Sequence, residues 1–298
     1  MSEPRHTASD FDPEVLRLFD QYVHGMIDRR GFLSGAARFA VGSAGAAALL
    51  AALSPQFAAA QQVKPDDARL SAKYVEFASP EGYGKARGYL ARPAKAKGPL
   101  PVVLVVHENR GLNPHIEDIA RRLALDDFIA FAPDALFPLG GYPGDEDAAR
   151  ELFGKLDQAK TREDFVAAAA ALRTLAGTNG KVGVVGFCYG GSIANLLATR
   201  VPDLAAAVPF YGAAPAPADV PRIRAEVLVH HAGNDARLLE AWPGYRDALK
   251  AAGVRHEGYV YPGVEHGFNN DTTPRYDEAA ARLAWQRTLA LFDRTLRA

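Results

Sequence analysis

Cysteine is almost missing from this chain: among 298 residues there is one, Cys188. A lone thiol excludes an intramolecular disulfide, and it leaves a redox mechanism without a CxxC partner or resolving cysteine. Net charge is equally small, −1 at neutral pH, so nothing electrostatic points to nucleic acid as a partner. No internal repeat or low-complexity linker divides the chain. Long hydrophobic runs are absent too. The most apolar stretch, Phe39 to Leu53, is short and rich in Gly and Ala, which argues against a stable membrane span in the mature protein.

What is present gathers around that cysteine. Gly186-Phe187-Cys188-Tyr189-Gly190-Gly191 follows the apolar run Lys181 to Val185 and precedes a helix-forming stretch. This is the pattern of a nucleophile elbow, a strained strand-to-helix turn that presents its central side chain, here with a thiol where serine is commoner. Glycines on both sides let neighbouring backbone pack closely. The bland alternative is a small buried core cysteine. A nucleophile needs a base and the base needs an orienting group. Two candidates follow in order: Asp235, after the apolar run Glu226 to Ala232 and the turn Gly233-Asn234, and His266, after the strand-like His256 to Tyr261. Nucleophile, acid and histidine at successive strand ends is the α/β-hydrolase chain order.

The surrounding pattern agrees. From Ala72 onward, expected strands at Lys73–Phe77, Ala86–Arg92, Val102–Val106, Phe128–Ala132, Lys181–Val185, Ala205–Tyr211, Glu226–Ala232 and His256–Tyr261 alternate with expected helices. The helices fall at Pro114–Leu125, Thr161–Ala176, Gly190–Arg200, Pro243–Ala252 and Asp277–Leu296. That alternation predicts an α/β fold, a mainly parallel sheet with helices on both faces, as a single domain over residues 65–298. Ligands bind such sheets at the carboxyl ends of the strands, where the three candidates fall.

The first sixty residues read differently. Arg29-Arg30-Gly31-Phe32-Leu33, the weakly apolar stretch after it and Ala58-Ala59-Ala60 form the pattern of a twin-arginine export signal with a small-residue cleavage site before Gln61. Residues 1–60 are therefore expected to lie outside the fold, and the protein to be periplasmic or secreted, with the export machinery as a partner. An uncleaved membrane anchor and an Ala-rich helix packed on the domain are the other readings. Phe11 to Met26 has the pattern of an amphipathic helix with no assigned role.

From about Leu70 to Arg297 the chain resembles the dienelactone hydrolase family of α/β hydrolases, particularly its exported members. The resemblance rests on the elbow, Gly233-Asn234-Asp235, His266-Gly267-Phe268 and the loop His107-Glu108-Asn109-Arg110-Gly111. It implies Cys188 as nucleophile, His266 as general base and later acid, and Asp235 as the group orienting His266. It further implies an oxyanion hole from the backbone N–H groups of Asn109 and Tyr189, and Glu108 as a carboxylate gating the thiol. No cofactor or metal is expected: His230 and His231, adjacent on a strand, point to opposite faces.

Two arginines that hold the substrate carboxylate in this family have no counterparts here. The corresponding positions fall in Asp134-Ala135-Leu136-Phe137-Pro138 and at Asn270, which puts dienelactone itself in doubt as the substrate. Arg110 is a candidate replacement or, equally, a partner of Glu117 or Asp118. Phe137, Tyr142, Tyr211 and Trp242 are candidate pocket walls or core residues. The expected function is hydrolysis of a small carboxylic ester or lactone through an acyl-cysteine, carboxymethylenebutenolidase-type chemistry. The alternatives are an exported thiol redox protein and a non-catalytic binding protein of the same fold.

Overall fold

The centre of the sheet is built from runs of Val, Ala, Ile and Leu that are apolar on both faces, the signature of parallel strands covered by helices on each side. The computed structural model describes residues 5–40 and 42–297, the side chains of 42–44 excepted. Strands β1 (Leu70–Ser79), β2 (Gly84–Pro93), β3 (Leu100–Val106), β4 (Ile129–Pro133), β5 (Thr178–Phe187), β6 (Ala206–Phe210), β7 (Glu226–Ala232) and β8 (His256–Tyr261) form one sheet. Their order is β1-β2-β4-β3-β5-β6-β7-β8. β1 and β2 are antiparallel to each other, as are β2 and β4, and the remaining pairs are parallel. This is the α/β-hydrolase arrangement that the alternating sequence predicts.

Helices α5 (Pro114–Leu125) and α10 (Glu278–Leu296) cover one face, while α7 (Gln158–Leu172), α8 (Tyr189–Arg200) and α9 (Ala236–Ala251) cover the other. α9 starts seven residues before the expected Pro243, because Asp235 caps it by accepting from Leu238 N at 3.4 Å. Pro243 lies inside the helix, and its missing N–H costs one backbone bond rather than ending the element. A further helix, α6 (Glu146–Gly154), is capped by Asp145, which accepts from Ala148 N at 2.8 Å.

The N-terminal segment departs from expectation. Rather than standing apart, it folds into α1 (Pro13–Val23), α2 (Arg29–Ala36), α3 (Gly42–Leu53) and α4 (Phe57–Ala60). These bury Val15, Leu16, Phe19, Tyr22, Phe32, Leu50 and Leu53 in a core of their own. The reason is the amphipathic pattern of α1, begun by Asp12 as N-cap with Pro13 at the first helical position. The segment docks on the domain by polar contacts: Gln56 N donates to Thr272 O at 2.7 Å, and Arg150 Nη1 to Tyr22 O at 3.1 Å. Arg29 pairs with Asp147 at 3.0 Å. Among the described residues no helix is long and apolar enough to cross a membrane.

Candidate active site

β5 ends at Phe187 and α8 begins at Tyr189, so the whole strand-to-helix reversal falls on Cys188. Its backbone sits at φ 55°, ψ −111°, a region non-glycine residues avoid. The neighbours must be glycine. A Cβ on Gly186 would lie 2.0 Å from Gly190 O, and one on Gly190 would lie 2.2 Å from Val106 O. The elbow is thus wedged between β3 and α8, and the strain is held by close backbone packing.

Asp235 follows β7 and His266 follows β8, which brings both to the same edge of the sheet as Cys188. Asp235 Oδ2 accepts from His266 Nδ1 at 2.6 Å, and both side chains are buried. With Nδ1 committed to the carboxylate, His266 turns Nε2 toward the thiol; that nitrogen is buried and has no hydrogen-bond partner. The sequence-expected trio is therefore assembled in one place.

A second imidazole, from the N-terminal segment, completes the cluster. His24 follows α1 directly, and its Nε2 lies 3.5 Å from Cys188 Sγ. Its Nδ1 lies 3.2 Å from Asp20 Oδ1, one helical turn back. The rings of His24 and His266 meet edge to face, 4.6 Å between centroids. One donor atom from each of His24, Cys188 and His266 lies within 4.8 Å of the others.

The electrostatics follow from that crowding. Burial disfavours the Cys188 thiolate, but the imidazoles of His266 and His24 outweigh it and bring its pKa down to about 6. Burial likewise disfavours the His266 cation, yet the Cys188 thiolate and Asp235 raise its pKa to about 9. His24 is raised to about 10: burial opposes its charge, and Asp20 and Cys188 more than compensate. Asp20 is itself held down at about 2 against its burial, by His24 first, with His266 and Arg275 adding to it.

The loop after β3 flanks the thiol. Its first residue, His107, is structural: Nδ1 meets Glu108 O at 2.6 Å and Nε2 accepts from Ala135 N at 3.3 Å. Glu108 Oε2 accepts from Asn270 Nδ2 at 2.9 Å, so Asn270, where the resemblance expects an arginine, orients this carboxylate. Tyr189 is the first residue of α8, and its N–H is one that a helix leaves without an intrahelical acceptor. Asn109 Nδ2 and Arg110 Nη1 both donate to Val23 O, at 2.9 and 3.2 Å. Residues of the N-terminal segment thus lie across the mouth of the site.

The other candidates separate. Tyr211, at φ 37°, is buried with its ring 4.9 Å from that of His266, so it does wall the site. Tyr142 and Arg110 line a cavity of ≈ 310 Å³ beside it, with Glu108 and Arg275 on the domain side and Phe19 and Val23 on the segment side. Arg110 pairs with neither Glu117 nor Asp118; its nearest carboxylate is Glu146, 3.8 Å away. Phe137 instead stacks under the Arg87 guanidinium, 4.8 Å from the ring centre. Trp242 belongs to the core on the sheet face opposite Tyr211, where it fills the space left by Gly258 and packs against His231 at 5.1 Å. His230 faces the other way, toward Tyr261 and Thr288, which is the opposed orientation the strand register requires.

Sequence reasoning missed Asp20, His24 and Arg275. Asp20 and His24 had a legible signal, an i, i+4 carboxylate–imidazole spacing at the end of an amphipathic helix. Arg275 had none, because only the fold brings it to Gly267 and to within 3.6 Å of Asp20.

Similarity to known proteins converges on one family. A family model described as the dienelactone hydrolase family matches residues 86–296, and a second, described as YqhI-like, matches residues 3–41. A Salmonella typhi protein named as a carboxymethylenebutenolidase is 37% identical over 218 residues, covering 68% of this chain and 81% of that protein. The Escherichia coli K12 hydrolase fragment YghX is 53% identical over 112 residues, 38% of this chain and 96% of the fragment. The crystal structure of a Klebsiella pneumoniae protein named as a dienelactone hydrolase superposes with a TM-score of 0.65 at 34% identity, over 74% of this chain and 98% of that one. With the elbow, the strand-end acid and histidine, and a family match across most of the domain, the chain belongs to the dienelactone hydrolase family and is a hydrolase.

Proposed function

We propose that this hydrolase cleaves a small carboxylic ester or lactone through an acyl-cysteine intermediate, with Cys188, His266 and Asp235 as its triad. The observation that carries the reading is the Asp235–His266 hydrogen bond, 2.6 Å, aimed at a thiol on a strained elbow. The Cys188 thiolate attacks the carbonyl carbon, and the carbonyl electron pair moves onto oxygen. Backbone N–H groups of Tyr189 and Asn109 would receive that oxyanion, each such donor contributing roughly 10²- to 10³-fold. The C–O bond then breaks, and imidazolium His266 gives its Nε2 proton to the leaving alkoxide. Neutral His266 next removes a proton from water, which attacks the thioester and returns the thiolate. Asp235 stays ionised throughout and holds the ring in the tautomer this sequence needs.

The relatives named as carboxymethylenebutenolidase support the lactone class. Two features argue against a redox role for Cys188: no second cysteine exists to resolve a sulfenic acid, and an acid–histidine pair is superfluous for peroxide reduction. The decisive experiment is turnover of a panel of aryl esters and lactones by wild type and Cys188→Ala, with mass-spectrometric trapping of an acyl group on the Cys188 peptide. Loss of nearly all turnover together with a trapped adduct is expected; undiminished turnover in the variant ends the reading.

The export reading is part of the same proposal. Arg29 and Arg30 are exposed in the docked segment, and a twin-arginine route carries proteins already folded. Changing both to Lys should retain the precursor in the cytoplasm, whereas normal delivery to the periplasm contradicts it.

A further inference from the structure

We infer that His24, Cys188 and His266 form a zinc site that joins the N-terminal segment to the active site and holds the nucleophile out of use. The donor set is the first reason. One thiolate and two imidazoles are borderline-soft ligands of the kind zinc takes, and three protein ligands with an open fourth position make an ordinary zinc site.

Geometry is the second reason. Zn–S of about 2.3 Å and Zn–N of about 2.0 Å at tetrahedral angles put sulfur and nitrogen about 3.5 Å apart. His24 Nε2 stands 3.5 Å from Cys188 Sγ. The three donor atoms all lie within 4.8 Å of one another, so closing the triangle requires contraction of no more than about 1.5 Å on its longest side. His266 Nε2 is buried and has no hydrogen-bond partner, which leaves it aimed at the cluster.

The outer contacts are the third. A metal-bound histidine nearly always gives its other ring N–H to a carboxylate or carbonyl, which fixes the tautomer and strengthens the ligand. Both histidines already have that arrangement. His266 Nδ1 meets Asp235 Oδ2 at 2.6 Å, and His24 Nδ1 meets Asp20 O at 2.8 Å and Asp20 Oδ1 at 3.2 Å. An ordinary triad needs one such pair; two, converging on one sulfur, is what a metal centre needs.

Coordination is balanced in charge. Zn²⁺ takes the thiolate and two neutral imidazoles, and the Nε2 protons it replaces pass to solvent, one dication for two protons. Donation to zinc withdraws charge from the sulfur and lowers its nucleophilicity, and His24, tied to the metal, keeps α1 over the mouth. The metal-bound enzyme is therefore closed, and removing the metal restores whatever activity the chain has.

The test uses the full-length protein, stripped by chelator and dialysed. Zinc is titrated against a competing chromophoric chelator, and Co²⁺ is added separately to look for a thiolate-to-cobalt charge-transfer band. Expected are one zinc per chain and that band. Asp20→Asn should weaken zinc by about 10- to 100-fold, His24→Ala by more, and His24→Cys should restore binding by supplying another zinc ligand. Sub-stoichiometric binding, absence of the sulfur band, or equal zinc affinity in wild type and H24A overturns the site. These readouts require no turnover. A protein that binds zinc and, once stripped of it, cleaves no ester would refute the hydrolytic mechanism alone, and one that cleaves esters and ignores zinc would refute the metal site alone.

Discussion

Cys188 lies between two carboxylate–histidine pairs that are alike in parts and unlike in how the fold holds them. Asp235 and His266 are 31 residues apart, each fixed at the end of a strand and both buried. Asp20 and His24 are one helical turn apart, on a segment with its own small core and a polar seam to the domain. The Asp20 side chain keeps 37% of its surface exposed. The first pair can move only if the sheet moves. The second can leave as a body, with α1, without breaking a strand. A group needed on every turnover belongs on the first kind of support, and one that covers or releases the site belongs on the second.

The sharpest way to break this comparison is to remove one carboxylate at a time. Asp235→Asn should lower kcat by about 10⁴-fold, because the amide no longer holds the His266 tautomer or stabilises its cation. Asp20→Asn in chelator-treated protein should leave kcat within a few-fold of wild type. Steady-state kinetics on one aryl ester decides it. Equal losses in both variants would make the two pairs catalytic equivalents and refute the distinction.

Next in size is the effect of unseating the segment. Phe19 and Tyr22 are buried in the core of α1–α3, and Phe→Ala in such a site costs about 3–5 kcal/mol. A tenfold population shift needs only about 1.4 kcal/mol. Phe19→Ala with Tyr22→Ala should therefore speed alkylation of Cys188 tenfold or more, measured well above the thiol's pKa so that the rate reads access alone. An unchanged rate would mean that the docked segment does not obstruct the thiol.

The contrast between the pairs also explains what the sequence could reveal. β7, β8 and α5 are legible to the residue: β7, buried on both faces, reads as a continuous apolar run, the edge strand β8 is bounded by Pro262-Gly263, and α5 is flagged by Asn113 and Pro114 at its start. That Cys188, Asp235 and His266 would meet was legible because an elbow and two strand-end motifs constrain backbone as well as side chains. The start of α9 was hidden by Pro243, whose cost is a single hydrogen bond in a helix otherwise well capped by Asp235. The pocket fared worse. Trp242 and Tyr211 are indistinguishable as aromatic residues in sequence, and only the sheet face they occupy separates them. The packing of the N-terminal segment was hidden for a related reason: the composition of an arginine pair and an Ala-rich stretch carries no information on whether α1 has a docking surface.

A smaller effect should appear in the pH dependence of alkylation. His266 and His24 together bring the Cys188 pKa down to about 6, so in chelator-treated wild type the rate should rise through an inflection near that value. His24→Ala removes one of the two cations that favour thiolate. The inflection must then move up, by less than it moves in His266→Ala, where the larger of the two contributions is lost. An inflection unmoved by His24→Ala would mean that this imidazole does not sense the sulfur.

The smallest expected effect concerns Glu108, whose carboxylate shares the β3 loop with Asn109 but belongs to neither pair. A negative charge near sulfur disfavours thiolate, while the hydrogen bond from Asn270 Nδ2 at 2.9 Å holds that charge in place and takes part of it up. Burial is the largest single influence on the Cys188 pKa, the two imidazoles supply what lowers it, and Glu108 is not one of the leading ones. Glu108→Gln should therefore raise the alkylation rate near neutral pH by only about two- to fivefold, the scale of a charge interaction at a partly exposed position. The same variant should lose turnover, since the side chain lines the cavity a substrate would enter. The two readouts must diverge, reactivity up and catalysis down. If alkylation is the same in both proteins from acid to alkaline pH, Glu108 exerts no control over the thiol, and only the imidazoles on either side of Cys188 set its reactivity.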